Sequence, residues 1–307
     1  MSDSVVCFFN DNFVPMSEAK VGVMTHAFNY GTGCFEGIRA YWSADAEQLF
    51  VFRLTDHLQR FEHSRAVLMI DLPYSIERLS EICVDLLRRN QFKTDVYVRP
   101  LAYKASELIG VRLHNLTDAF TMFSVPFGDY VETAGGLSVG VSSWRRIDDN
   151  AAPARAKLTG IYVNSALAKT EATLNGFDES IMLTDDGHVS EGSAENIFMV
   201  LGDRLVTPPP TDNILMGITR DTIMTIAKNE LGIETVERSI DRSELYSADE
   251  IFICGTGAQV LPVVKVDHRA IGTGEIGSTT QALVKSYMDI VHGKVDAYQA
   301  WLTPVYQ

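Results

Sequence analysis

The sequence predicts a two-domain protein with an α/β first half and a β-rich second half. Its 307 residues suffice for two domains of ordinary size, and 46% hydrophobic against 21% charged residues is the balance of a globular chain. The segment from Gly128 to Gly136 is polar and glycine-rich, which indicates a linker. We therefore expect a small N-terminal α/β domain over 1–127, a linker over 128–136 and a large C-terminal domain over 137–307.

In the first half, strand and helix patterns alternate. The turn-prone residues 10–12 lie between apolar runs and predict an opening β-hairpin. One amphipathic helical pattern begins at Thr55, and a second, from Ile76, repeats apolar residues at three-to-four spacing. Extended segments at 48–53, 95–103 and 119–125 complete the predicted α/β domain.

The second half is dominated by predicted strands. A strand over 137–144 precedes a helix from about 161 to 174, and turn signals at 185–187 and 202–203 predict two hairpins. The later segments are predicted to be a helix, a strand and a last helix, over 219–231, 250–254 and 279–291.

Composition and charge exclude several classes of protein. Lys and Arg number 26 against 40 Asp and Glu, and the resulting net charge of -14 disfavours nucleic acid and anionic membranes as partners. The four cysteines lack the spacing of a zinc site or a disulfide framework, so we expect reduced, buried thiols: Cys7, Cys34, Cys83 and Cys254. The sequence has no secretory signal pattern and no apolar run of membrane-spanning length, so we expect a cytoplasmic location.

Local motifs taken one at a time are weak evidence of a site. Gly217 and Thr219 at a helix start could bind an anion, but considered alone the frequency of threonine caps favours Thr219 as a simple helix N-cap. The seven histidines show no metal-ligand spacing, and no metal is expected. The loop from Ser190 lacks the G-x-S-x-G pattern, and Glu191 and Glu195 considered alone would be solvated loop acids.

Several blocks together are far more specific. The segment from His26 to Tyr41 resembles the N-terminal signature of branched-chain amino acid aminotransferases, which are fold-type IV pyridoxal-phosphate enzymes. Further blocks match in family order, at 97–100, 190–198, 217–221 and 248–252. The resemblance covers nearly the whole chain and implies a fold like that of D-amino acid aminotransferase, with a small α/β domain and a larger pseudo-barrel domain.

The resemblance assigns the cofactor, pyridoxal 5'-phosphate, to particular residues. Lys157 matches the catalytic lysine that bonds to the cofactor aldehyde and moves a proton, Glu191 matches the carboxylate at the pyridine nitrogen, and Tyr162 matches the partner of the phenolic oxygen. Arg60 matches the phosphate-binding arginine. The remaining phosphate contacts match Ile218, Thr219 and Thr256.

Substrate contacts are implied in the same way. Apolar pocket positions match Phe35, Tyr97 and Tyr130, basic positions near the substrate match Arg39 and Arg99, and a carboxylate-binding turn matches Gly257 and Ala258. Tyr30 and Val111 match positions that reach the pocket of the neighbouring subunit in the family. The resemblance therefore implies a homodimer or higher homo-oligomer with the site near the subunit interface.

The predicted reaction is transamination between a branched-chain L-amino acid (leucine, isoleucine or valine) and 2-oxoglutarate, giving a branched 2-oxo acid and L-glutamate by a ping-pong mechanism. Departures from the family pattern at 255–260, at Phe127 and after Lys157 bear on substrate range more than on reaction class. The alternatives are a transaminase for D-amino acids or (R)-amines, a lyase with the same cofactor, and a cofactor-free binding protein on the same scaffold.

Overall fold

The computed structural model describes residues 5–128 and 135–306, and the chain divides into two compact units. The first unit comprises Met1–Gly128, Ala156–Gly160 and Ile290–Gln307, and the second comprises Asp129–Arg155 and Ile161–Asp289. Two segments that the sequence assigns to the C-terminal domain thus belong to the first unit. The reason is strand pairing, because Leu158 pairs with Cys34 and Leu302 with Phe52. Most of the predicted linker lies outside the described residues.

The helices and strands are numbered here in chain order. Up to residue 128 they are β1 Val6–Phe9, β2 Asn12–Pro15, α1 His26–Tyr30, β3 Gly33–Phe35, β4 Ile38–Ser43, β5 Gln48–Phe52, α2 Leu54–Val67, α3 Ile76–Asn90, β6 Val96–Lys104 and β7 Asp118–Pro126. From residue 137 they are β8 Leu137–Arg145, α4 Tyr162–Leu174, β9 Glu179–Leu183, β10 Val189–Gly192, β11 Asn196–Leu201, β12 Arg204–Thr207, α5 Ile218–Leu231, β13 Glu234–Glu237, β14 Glu250–Gly255, β15 Gln259–Val266, β16 Arg269–Ala270, α6 Ser278–Val291 and β17 Leu302–Pro304.

The first unit contains an antiparallel sheet with the strand order β17-β5-β4-β6-β7-β1-β2, and β3 also pairs with β6. Helix α3 shows why the sequence folds this way locally. The Ser75 side chain accepts a hydrogen bond from Arg78 N at 3.2 Å and caps the helix. The apolar side chains of α3 recur at helical spacing and are buried: Leu79, Ile82, Cys83, Leu86 and Leu87.

The second unit contains a mixed sheet with the order β10-β9-β8-β15-β14-β11-β12-β13, and β16 pairs with β15. Strand β8 is parallel to both β9 and β15, whereas β14 is antiparallel to its neighbours β11 and β15. A fully buried cluster of Ile, Val, Leu and Met side chains, including Val139, Ile197 and Ile253, forms the core beside this sheet.

The structure confirms the predicted opening hairpin, the helices α2 to α6 and the predicted strands, with ends shifted by a residue or two. The prediction omits α1, β3, β4 and β15. Five of the six residues of β4 are buried, so the strand lacks the polar and apolar alternation that reveals a half-buried strand. The short strands β13, β16 and β17 are also absent from the prediction.

Two further expectations concern cysteines and membranes. All four cysteines are buried and free, as the sequence predicts. Across residues 5–128 and 135–306, no helix combines the length and the apolar character needed to cross a lipid bilayer. The same residues contain no group of three or more His, Cys, Asp or Glu side chains placed to hold a metal ion.

Candidate active site

Lys157 lies in the first unit, on a short segment that pairs with β3. Its backbone N–H donates to Ser64 Oγ at 3.0 Å, and its carbonyl accepts from Phe35 N at 3.0 Å. Two residues on, Thr159 N donates to Gly33 O at 2.8 Å. Because both backbone groups of Lys157 are held, the origin of its half-buried side chain is fixed.

The close packing of two backbone segments explains why residue 31, just before β3, is a glycine. Gly31 has φ +66°, and a Cβ there would lie 2.7 Å from Gly160 Cα. Glycine is the residue that combines this left-handed backbone with so close an approach. The Thr159 hydroxyl lies against the same turn and donates to Gly31 O at 2.9 Å. The two backbones therefore pack directly on one another, three residues from Lys157.

The predicted substrate residues Phe35, Tyr97 and Arg99 form one cluster with Lys157. Lys157 Nζ lies 5.1 Å from the centroid of the Phe35 ring. Arg99 Cζ lies 4.4 Å from the Phe35 ring and 5.0 Å from the Tyr97 ring, and Arg99 Nη2 donates to the Tyr97 hydroxyl at 2.8 Å. Within the described part of the chain, Arg99 Nε is buried without a hydrogen-bond partner. The Arg99 guanidinium thus packs against the rings of Phe35 and Tyr97, and its Nε–H donor makes no hydrogen bond.

Arg60 lies on α2 and is bound to a buried carboxylate that the sequence did not single out. Arg60 Nε and Nη2 donate to Glu36 Oε1 and Oε2 at 2.7 and 2.8 Å, and His57 Nδ1 lies 2.8 Å from Glu36 Oε2. Burial alone would raise the pKa of Glu36, but Arg60 and His57 outweigh it and hold that pKa far below its ordinary value. Burial lowers the pKa of His57, although Glu36 acts in the opposite direction. The imidazole is therefore neutral at neutral pH.

Arg39 is buried, and its guanidinium is bound to backbone and aromatic groups. Nη2 donates to Phe127 O at 3.2 Å and to Gly128 O at 2.8 Å, and it lies 3.7 Å from Asp95 Oδ2. Its Cζ lies 5.4 Å from the Tyr41 ring. The contacts of Arg39 thus hold the backbone at 127–128, and its assignment as a substrate contact stays a prediction.

Tyr30 and Val111, assigned to the neighbouring pocket, lie near one another in the first unit. The Tyr30 hydroxyl accepts a hydrogen bond from Gly110 N at 3.2 Å. The His26 ring packs at a tilt against Tyr30 with ring centroids 4.7 Å apart, and its Nε2 lies 2.9 Å from Gly110 O. Val111 follows this loop with 87% of its surface exposed.

In the second unit, Glu191 on β10 is almost fully buried rather than solvated. Arg146 Nη2 lies 2.8 Å from Glu191 Oε1, and Glu191 Oε2 accepts hydrogen bonds from Asn196 Nδ2 at 3.1 Å and Leu215 N at 3.0 Å. A buried carboxylate needs such compensation, and each of these contacts favours its ionised form. Nothing in the sequence indicates Arg146 as the partner, because it lies far from Glu191 along the chain.

The start of α5 is tied to the same carboxylate. Asn196 Nδ2, which donates to Glu191, also donates to Leu215 O at 2.9 Å. A Cβ on Gly217 would overlap Asn196 Oδ1, so glycine is needed at this helix cap. Gly217 has extended backbone and is the N-cap, and Thr219 is therefore the second helical residue rather than the cap. The first turn of a helix presents backbone N–H groups that attract an anion.

The other predicted positions in the second unit lie at element ends. Tyr162 is the first residue of α4 and is half-buried. Thr256, Gly257 and Ala258 form the turn between β14 and β15, closed by pairing of Gly255 with Gln259. Tyr130 lies outside the described residues.

A second buried acid in the Glu191 loop was also missed. Glu195 is 4% exposed, and its Oε2 accepts a hydrogen bond from Ala194 N at 3.0 Å. Burial, followed by the nearby charge of Glu179, raises the pKa of Glu195 to about 8. Of the missed residues, Glu36 and Glu195 lie within blocks of the family resemblance, whereas Arg146 and His57 carry no signal in the sequence.

Fold and residues together define a class IV aminotransferase. The family model described as amino-transferase class IV matches residues 33–266, and the chain belongs to this family. It is 48% identical over 299 residues to a probable branched-chain-amino-acid aminotransferase of Aquifex aeolicus, with 97% of this chain and 96% of that protein covered. This confirms the family predicted from the sequence blocks.

Solved structures agree with the sequence comparison. The branched-chain aminotransferase of Thermoproteus uzoniensis with norvaline has a TM-score of 0.94 and 44% identity, covering 99% of this chain and 100% of that one. The branched-chain amino acid aminotransferase of Thermobaculum terrenum, in its pyridoxal-phosphate holo-form, has a TM-score of 0.95 and 34% identity, and both chains are fully covered. The predicted fold class is thereby confirmed.

The residues of the second unit fit the pyridoxal phosphate cofactor of this family. The group needs an anion at its pyridine nitrogen and donors at its phosphate. Glu191 provides a carboxylate held by Arg146, and the start of α5 provides backbone donors. Asn196 links the two features through Glu191 and Leu215, so the anion and the donor turn are held by one side chain.

Proposed function

We propose that this protein transfers the amino group between branched-chain L-amino acids (leucine, isoleucine and valine) and 2-oxoglutarate, giving branched 2-oxo acids and L-glutamate. The observation that carries the substrate class is the cluster of Phe35, Tyr97 and Arg99. Its rings suit an apolar side chain, whereas its guanidinium suits the second carboxylate of glutamate or 2-oxoglutarate. One wall can therefore serve the two unlike substrates of a ping-pong reaction.

Each part of the cofactor is assigned to particular residues. Arg60, Ile218, Thr219 and Thr256 hold the phosphate, Glu191 holds the pyridine nitrogen and Tyr162 the phenolic oxygen. When bound, pyridoxal phosphate supplies an aldehyde for the amine and a ring that accepts electrons from the breaking Cα–H bond. The ion pair of Glu191 with Arg146 supports its assignment, because it keeps a negative charge available in a buried place.

Lys157 is assigned the proton transfer. With the cofactor bound, its amine would take the proton from the substrate Cα and deliver it to the cofactor carbon C4′, and in the second half of the reaction it would move a proton from C4′ to the Cα of the new amino acid. The hydrogen bonds to Ser64 and Phe35 support this role, since they fix the backbone from which the amine reaches. Arg39 and Tyr130 are assigned to the substrate pocket, and Gly257 and Ala258 to a turn that binds the α-carboxylate.

We also propose that the active form is a homodimer, with Tyr30 and Val111 reaching the partner's pocket. The supporting feature is an exposed apolar patch built from two chain segments, 21–28 and 109–111, beside the pairing of Thr25 with Glu107. The residues of this apolar patch are Val21, Val23, Met24, Phe28, Ile109 and Val111. Phe28 is 71% exposed and Val111 87%, and apolar side chains clustered in this way are typical of a subunit interface.

We also propose a cytoplasmic location, and the state of the cysteines supports it. The four free, buried cysteines are in the state that a reducing compartment maintains.

The test of the function is an absorbance spectrum of the purified holoenzyme before and after amino donors are added. We expect a visible cofactor band that bleaches with L-leucine and returns with 2-oxoglutarate. Bleaching by D-alanine or (R)-1-phenylethylamine instead would refute the substrate assignment. A protein with no band even after pyridoxal phosphate is added would refute the enzyme assignment.

A matched pair of variants tests Lys157. Lys157→Ala should abolish the bleaching cycle, because no other amine then moves the proton. Lys228→Ala, at an exposed position on α5, should leave the cycle unchanged. Equal behaviour of the two variants would contradict the assignment of Lys157.

A further inference from the structure

A buried network surrounds Arg60 on α2 and reaches Glu36, immediately after β3. The carboxylate of Glu36 accepts two parallel hydrogen bonds from Arg60, at 2.7 Å from Nε and 2.8 Å from Nη2. The backbone of Glu36 is fixed as well, because its N–H donates to Pro100 O at 3.0 Å. Paired donors on paired acceptors fix the plane of the guanidinium as well as its position.

Burial makes this pairing costly to disturb. Glu36 is completely buried, and the side chain of Arg60 is only 14% exposed. A carboxylate in such a place needs both charge compensation and hydrogen bonds, and Arg60 supplies both. His57 completes the set by placing Nδ1 2.8 Å from Glu36 Oε2. The three side chains therefore have one arrangement that satisfies all of them.

The pairing also sets the direction of the remaining guanidinium donors. A guanidinium has five N–H donors on more than one edge, and the Glu36 carboxylate binds the edge formed by Nε and Nη2. With that edge fixed, the direction of the Nη1 edge is fixed too. Orientation of this kind raises affinity because less side-chain freedom is lost on binding.

The same turn of α2 also holds Lys157. Ser64 Oγ donates to Arg60 O at 3.0 Å and accepts from Lys157 N at 3.0 Å. Ser64 is fully buried, so this bridge is shielded from water. One helical turn thus connects the Arg60 backbone to the Lys157 backbone, while Glu36 and His57 orient the Arg60 side chain.

We propose that Glu36 and His57 are positioning residues that orient Arg60 for the cofactor phosphate. This inference rests on the proposed function, because it takes Arg60 as a phosphate ligand. The proposal separates positioning from charge. Glu36 is an anion close to Arg60, so charge alone would make its removal strengthen phosphate binding, whereas loss of orientation weakens it.

The test compares two probes on the full-length chain freed of cofactor: pyridoxal 5'-phosphate, and pyridoxal, which lacks the phosphate. Dissociation constants are measured by absorbance titration. For Glu36→Gln we expect the affinity for pyridoxal 5'-phosphate to fall by about tenfold or more, the scale of a charge-assisted hydrogen bond, and the affinity for pyridoxal to change little. The amide cannot accept from both Arg60 and His57 as the carboxylate does.

A control variant and a conservative variant sharpen the result. Glu244 accepts two similar hydrogen bonds from Arg238, at 2.9 and 2.6 Å. Glu244→Gln therefore disrupts a comparable ion pair elsewhere in the protein, and it should leave the affinities for pyridoxal 5'-phosphate and for pyridoxal unchanged. His57→Ala should weaken binding of the phosphate form. His57→Asn, whose amide can replace Nδ1 as a donor, should restore much of it.

Each outcome has a distinct meaning. Arg60→Ala should reduce the advantage of the phosphate form over pyridoxal to the part that Ile218, Thr219 and Thr256 supply, and Glu36→Gln added to it should then have no further effect. If Arg60→Ala leaves that advantage intact, the assignment of Arg60 in the proposed function is refuted. If Arg60→Ala reduces it but Glu36→Gln leaves it unchanged or increases it, only the positioning proposal is overturned. Equal loss for both probes would also overturn it, because that pattern indicates general structural damage.

Discussion

The acid Glu195, in the turn between β10 and β11, gives the protein a predictable dependence of stability on pH. Its carboxyl group is buried beside Glu179, which is itself only 2% exposed, and Glu191 lies nearby on β10. Lys169 compensates mainly Glu179, at 2.7 Å. Burial, followed by the charge of Glu179, raises the pKa of Glu195 to about 8, so the group is protonated in the native state at neutral pH.

The sign and size of the effect follow from the two protonation states. An unfolded glutamate has a pKa of about 4.3. Between about pH 4.3 and about pH 8, the native state binds one more proton at Glu195 than the unfolded state does. The free energy of unfolding therefore falls as pH rises through this range, by about 1.4 kcal/mol per pH unit. From pH 5.5 to 7.5 the contribution of Glu195 amounts to a loss of roughly 3 kcal/mol.

The variant Glu195→Gln removes this titration while it keeps the size and the neutral charge of the native side chain. Urea unfolding of the holoenzyme, followed by circular dichroism at pH 5.5, 6.5 and 7.5, measures the difference from the unmodified protein. We expect that difference to move in favour of the variant by roughly 3 kcal/mol over the range. Glu234→Gln, at an exposed position, should show no such trend. Parallel pH dependences of Glu195→Gln and the unmodified protein would refute the reasoning.

Three further changes test the site and the assembly. Arg146→Met leaves Glu191 buried without its counter-ion, so the free energy of unfolding should fall by about 3–5 kcal/mol in urea titrations, and unchanged stability would contradict the ion pair. Gly37→Ala places a Cβ against the Tyr97 hydroxyl, so the KM for L-leucine should rise by about tenfold while the visible cofactor band persists, and an unchanged KM would remove Tyr97 from the substrate wall. Val111→Glu puts a charge into the apolar patch, so sedimentation velocity should show monomers with native circular dichroism, and an intact dimer would place the interface elsewhere.

The fold was predictable where the sequence pattern depends on one element alone. Helix α3 has a Ser75 cap and an apolar face, and both are visible in the sixteen consecutive residues 75–90. Strand β4 was not predictable in this way, because it is buried on both faces and carries no alternation. The short pairing of β17 with β5 depends on residues from opposite ends of the chain, and no local pattern records it.

The candidate site was even less predictable from local sequence patterns than the fold. The predicted residues Lys157, Arg60 and Glu191 came from resemblance, since a single lysine, arginine or glutamate looks like any surface charge in the sequence. What fixes them is long-range: Ser64 holds Lys157, and Arg146 pairs with Glu191. Contacts of this kind follow from the tertiary fold, so charge pattern and periodicity could not reveal them.

The sheet of the first unit has a consequence for the order of folding during synthesis. Its edge strand β17 comes from residues 302–304, and the segment bearing Lys157 joins β3 only after most of the intervening chain has been made. Contacts so distant along the chain form slowly. When the ribosome has made the first 128 residues, the sheet still lacks its edge strand and the segment that bears Lys157, so the first unit is incomplete until the end of the chain has been made. A nascent chain would therefore depend on protection from aggregation until its last strand emerges.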